Sequence, residues 1–186
     1  MAAQLEAASV CAFQVLARDL ERFGAPRLLV ASARRGACDE TRHARAMRRA
    51  AKRRGCNPPR VQVKAGAATS LLELAMRNAE EGCVRETFGA ALALLQARTA
   101  RDPALRQTMR RIARDELRHA ALSWRLQEWF LSRLPAERDR LAGVRRRALQ
   151  ELDEELARAP TANAEVGRPG PPALRSLLRA MGTQLC

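Results

Sequence analysis

The sequence predicts an all-α protein: four helices joined short turn, long crossover, short turn, followed by a further charged helix. Three observations predict it. Alanine and leucine dominate the apolar residues while aromatics make up 3% of the 186 residues, with no tyrosine and few β-branched residues, a mixture that favours helices packed on helices. Apolar residues recur at helical spacing, as Val10, Phe13, Leu16 and Leu20 do. The breakers fall between these stripes and divide the chain into helix-sized pieces.

The first helix is expected over 2–23, ended by Gly24, and Pro26 opens a second that runs to Arg54. Gly55, Asn57, Pro58 and Pro59 stop it, and residues 55–67 read as the crossover. A third helix covers about 69–99. Asp102 followed by Pro103 is an N-cap with proline at the first helical position, and starts a fourth that reaches Leu134 before Pro135. The charged fifth helix covers 136–159, residues 160–172 form a Pro/Gly-rich linker, and a short amphipathic helix runs from 173 to 181. The expected organisation is therefore a bundle over 1–134, an additional helix over 135–159, and a linker with a short helix over 160–186.

Net charge is +14, nearly all of it arginine, since Lys52 and Lys64 are the only lysines. Spread along the expected helices, these arginines read as a solvated surface rather than a dedicated nucleic-acid interface. The five cysteines include no CxxC pair, so a zinc ribbon or rubredoxin-type site is not supported, and their odd number argues against a disulfide framework. The first residues do not resemble a secretion signal, and no run of about 18 apolar residues exists, so a cytoplasmic location without a membrane span is expected.

The chain repeats itself at an offset of 76 residues: Asp39-Glu40-Thr41-Arg42-His43-Ala44 returns as Asp115-Glu116-Leu117-Arg118-His119-Ala120. Upstream, Glu6 stands seven residues before Phe13 as Glu81 stands seven before Phe88. Glu6 to Glu40 is 34 residues and Glu81 to Glu116 is 35. Within each half the chain climbs one helix and descends the next, and for the first half the two legs differ by only about 6 Å at 1.5 Å per residue. Glutamate and histidine three apart share a helix face, and Met109, Ile112 and Leu126 share the face of Glu116. All four acids interrupt apolar stripes. Buried carboxylates gathered at one level repel one another, and two divalent cations would balance four of them. Glutamate oxygen and imidazole nitrogen suit iron, manganese or zinc. Glu80 and Glu86 lie near Glu81, but Glu81 has the phase that matches the repeat, while Glu86 falls on another face as a supporting residue or a partner of a neighbour. Cys11 and Cys83 read as small core residues, and Trp124 and Trp129 as packing residues.

These residues resemble the ferritin-like superfamily, on the rubrerythrin and di-iron oxidase side, over residues 2–134. The Asp-Glu-x-Arg-His form is also similar to the motif of bacterial di-iron monooxygenase subunits. The resemblance implies a ferritin-like up-down four-helix bundle with one long crossover and a pair of bound metal ions, most simply iron. It implies Glu40 and Glu116 as bridging ligands, Glu6 and Glu81 as terminal ligands, and His43 and His119 on one metal each. It further implies that Asp39 and Asp115 support His119 and His43, held in turn by Arg42 and Arg118. The expected function is a di-iron carboxylate oxidoreductase that reacts with oxygen or peroxide and draws on an unidentified electron donor. Iron handling or storage in an assembly, or a non-enzymatic basic binding protein, are the alternatives. The chain lacks the rubredoxin domain of full rubrerythrins, and the absence of tyrosine excludes a tyrosyl radical. Whether the chain forms a homodimer stays open.

Overall fold

The computed structural model describes the backbone of residues 2–57 and 66–185 and the side chains of residues 8–57 and 66–182. Residues 58–65 of the expected crossover, and the side chain of Glu6, lie outside the described residues. Every named element is helical, and one isolated bridge pairs Asn163 with Arg168. The chain divides into two compact units, Met1–Leu74 and Ala75–Cys186.

The first unit is a helical hairpin of α1 (Ala2–Arg22) and α2 (Arg27–Lys52). Gly24 turns the chain at φ +72°, a left-handed conformation that glycine adopts without a Cβ penalty. Around it the amide of Ala25 donates to the Leu20 carbonyl at 2.9 Å, closing the end of α1. The hairpin closes tightly at Gly36, where a Cβ would stand 2.7 Å from the Phe13 ring. Leu20, Leu29, Val30, Ala33 and Ala37 are buried with Phe13. Asp19 is buried too, and its carboxylate is satisfied: it accepts from the Ala68 amide at 2.8 Å and pairs with Arg22 at 3.2 Å. A buried carboxylate without such partners would be costly.

The boundary between the units falls inside α3 (Leu71–Arg77). A π-helical segment, Asn78–Glu86, follows directly, then α4 (Thr87–Thr99). The helix expected over 69–99 is thus one rod with a wide-wound middle. Next comes α5 (Pro103–Arg133), opened by the Asp102 side chain, which accepts from the amides of Ala104 and Leu105 at 2.8 and 3.1 Å. Pro135 ends it with a single 3₁₀ turn, and α6 (Arg138–Ala157) and α7 (Pro171–Leu185) complete the chain.

In this second unit Val84 and Phe88 share a core with Ala148, Leu152 and Leu156 of α6 and Leu174 and Leu178 of α7. The fifth helix is therefore not only a charged rod. Its residues 141, 144, 148, 152 and 156 form a buried stripe at helical spacing. Two parallel hydrogen bonds of 2.8 Å from Arg85 to Glu155 clamp the π segment to α6, and Arg175 grips Asp153 in the same forked way. No helix among the described residues is long and apolar enough to cross a membrane.

Candidate metal centre

His119 lies on the buried side of α5, with only 3% of its side chain exposed. Its Nδ1 stands 3.5 Å from the Glu116 carboxylate, one helical turn earlier on the same face, and 3.9 Å from that of Glu86, at the end of the π segment. One donor atom from each of Glu86, Glu116 and His119 fits within a span of 4.8 Å. The Glu116 side chain is 12% exposed and that of Glu86 26%. Two carboxylates held this near each other in a mostly dry setting repel, and their mutual charge favours a bound dication. Two carboxylate oxygens and an imidazole nitrogen match iron, manganese or zinc in donor type, so the residues fit a metal ion on the chemistry of the set.

The first unit carries the twin of this pair. On α2, His43 Nδ1 lies 3.4 Å from the Glu40 carboxylate, and both side chains are 3% exposed. Asp39 beside them is buried and paired with Arg42, and Asp115 is paired with Arg118. In both motifs the arginine one turn later neutralises the aspartate from the solvent side.

Glu81 stands elsewhere. Its side chain is 66% exposed and lies 3.8 Å from Arg85 Nε, on the side of the rod that faces Glu155 of α6. The acid of this rod that meets His119 is Glu86 instead. The physical reason is the π segment. Its i→i+5 bonding turns the chain less per residue than an α-helix does, so from Glu81 to the segment's end at Glu86 the chain falls progressively behind the phase of an α-helix. The seven-residue spacing that put Glu81 in phase with Phe88 holds only for an unbroken α-helix.

The π segment itself is held against α5 by a small buried polar cluster. Asn78 donates to the Ser123 carbonyl at 3.0 Å, and the Ser123 hydroxyl donates to the His119 carbonyl at 3.1 Å. The Cys83 thiol faces the same Ser123 carbonyl at 3.7 Å and Gln127 Oε1 at 4.0 Å. Gly82 lets the two rods approach, since a Cβ there would meet Asn78 Oδ1 and Ser123 Oγ at 2.7 Å. Sequence reasoning passed over this arrangement. Its one visible signal was a glycine between a buried asparagine and a cysteine in the middle of an otherwise good helix.

Burial pushes the Cys83 thiol up to about 12, against the opposing pull of Arg145 and the Asn78 hydrogen bond. At pH 8 about one molecule in 10,000 then carries the reactive thiolate. Alkylation of the native protein at pH 8 is therefore expected to label Cys38 and Cys56, which are exposed, and to spare Cys83 until the protein is unfolded. Peptide mass mapping after brief iodoacetamide treatment checks this, and native labelling of Cys83 at the rate of Cys38 would contradict it.

The chain matches no protein-family model, and no curated protein or solved structure is detectably similar to it.

Proposed function

We propose that the chain is a ferritin-like carboxylate protein that holds two metal ions, iron in its working form, and acts as an oxidoreductase on oxygen or peroxide. The observation that carries this reading is the convergence of Glu86, Glu116 and His119 within one unit, repeated in part by Glu40 and His43 in the other. Each Asp-Glu-x-Arg-His motif is assigned one ion. In the second unit Glu86, Glu116 and His119 would hold it, and in the first Glu40 and His43 would contribute to holding its counterpart. Iron, when bound, supplies one-electron redox chemistry that side chains lack.

The chain's own residues set the terms for that chemistry. The carboxylates of Glu86 and Glu116 would offset the charge of a dication, and the imidazole of His119 would add a neutral nitrogen donor. The Arg118–Asp115 pair places a fixed charge pair next to the ligand helix turn. Close packing of α5 against the π segment limits water around His119.

Anaerobic loading with ferrous iron followed by air tests the reading. The expected result is rapid oxidation of about two irons per chain, followed by the near-ultraviolet absorbance of ferric carboxylate, with the yield halved in Glu116→Ala. Oxidation no faster than in buffer, or a Glu116→Ala variant indistinguishable from the parent, contradicts it.

A further inference from the structure

The second half of α2 carries a face of a different kind. From Thr41 to Leu72 the chain contains no aspartate or glutamate but nine arginines and lysines. Five of them, Arg45, Arg48, Arg49, Lys52 and Arg53, stand within nine residues at the end of α2, and all but the half-buried Arg48 are exposed. At 100° per residue they occupy a sector about 140° wide, centred roughly opposite the Glu40–His43 pair. One helix thus presents its acid–imidazole pair inward and an unbroken cationic face outward.

Three observations separate this face from an ordinary solvated one. Some arginines elsewhere are matched to carboxylates, as in Arg22–Asp19, Arg34–Glu21, Arg85–Glu155 and Arg175–Asp153. Among the described residues no ion pair joins any of the five to an acid, and the sequence of 58–65 adds only Arg60 and Lys64. Secondly, the like charges at i,i+4 (Arg45–Arg49, Arg48–Lys52, Arg49–Arg53) disfavour the helix, a cost that a polyanion would reverse. Thirdly, four of the five are arginine, whose fork matches phosphate geometry.

We infer that this face of α2, built on Arg45, Arg48, Arg49, Lys52 and Arg53, binds the phosphate backbone of duplex nucleic acid without reading sequence. The five cations span about 12 Å of helix, against one phosphate per 3.4 Å of each strand, so charge density matches along the contact. No exposed aromatic lies on the face to stack on single-stranded bases. The exposed large apolar residues among those described, Leu28 and Leu117, lie outside it, which leaves nothing to insert into a lipid surface. Phosphate contacts alone position without specifying. The inference does not rest on the metal reading, because the two functions use opposite sides of α2.

Fluorescence anisotropy with a labelled 20-bp DNA duplex of mixed sequence, titrated from 50 to 200 mM NaCl, tests it. Five phosphate contacts predict a slope of log K against log salt of about −4.5, which is a roughly 500-fold loss over that range. The triple variant Arg45→Gln, Arg49→Gln, Lys52→Gln should flatten the slope by about 2.7, and Arg49→Gln alone by about 0.9. A variant of equal net charge, Arg138→Gln, Arg146→Gln, Arg147→Gln on α6, should keep the parental slope, as should His43→Ala. Absence of binding at 50 mM, equal losses in the α6 variant, or binding to phosphatidylserine vesicles with none to the duplex would each overturn it.

Discussion

Replacing His119 by alanine is expected to halve the metal content of the protein. The imidazole is the one nitrogen donor of its group and the most deeply buried member, with Glu116 and Glu86 at 3.5 and 3.9 Å. Without it two carboxylates remain, an oxygen-only pair with no third donor. Loss of a merely supporting partner typically lowers metal affinity by roughly 10–100-fold, and loss of a ligand should exceed that. The loaded parent should hold about two ions per chain and His119→Ala about one, retained through the Glu40–His43 motif. Thermal melting reports the same event. A ligand present at 100 times its dissociation constant stabilises by about 2.7 kcal/mol, which for a chain of this size raises Tm by about 5–10 °C per site. Metal-dependent stabilisation should therefore fall by about half in the variant, while the metal-free Tm changes little. An unchanged stoichiometry in His119→Ala would remove the histidine from the centre.

Gly82→Ala is expected to cost about 1–3 kcal/mol, the usual range for an over-packed site. The added methyl would sit 2.7 Å from Asn78 Oδ1 and Ser123 Oγ and 2.9 Å from Ser123 Cβ. The first two atoms are flexible ends, but Ser123 Cβ is tied to the backbone of α5, so the two rods must part. The separation acts on the hydrogen bonds from Asn78 to Ser123 and from Ser123 to His119, and hence on the distance from Glu86 to His119. Stability and metal affinity should fall together, with a drop in Tm of about 2–12 °C. Gly89→Ala is the control, since a Cβ there meets nothing within 4 Å, and it should be neutral or slightly stabilising. If Gly82→Ala melted like the parent and bound metal equally, the close approach would not matter to the centre.

The ends of the first helices were legible in the sequence because local chemistry sets them, whereas the last helix begins at Pro171, inside the expected linker, and runs to Leu185. Gly24 turns with positive φ, Asp102 caps α5 through its carboxylate, and Pro135 ends it. The motif pairs were legible for a similar reason: Glu40 with His43 and Glu116 with His119 lie within one α-turn each, where the period is reliable. Glu81 was misplaced because its assignment carried that period across the second half of what proves to be a π segment ending at Glu86, and a change of winding leaves no mark in apolar spacing. Glu86 was visible as a nearby acid, yet its role depends on this slip of phase. The packing of α6 and α7 onto Val84 and Phe88 was hidden by composition: the arginines and glutamates of α6 obscured the stripe of Leu141, Val144, Ala148, Leu152 and Leu156. Glu6 remains assigned by the repeat alone.

Metal content decides the central claim. Protein purified without chelators, loaded with ferrous iron under argon, desalted and analysed by plasma mass spectrometry should retain about two equivalents of iron per chain, and the double variant His43→Ala, His119→Ala close to none. Retention below about a tenth of an equivalent by the folded parent, or equal retention by the double variant, would contradict it.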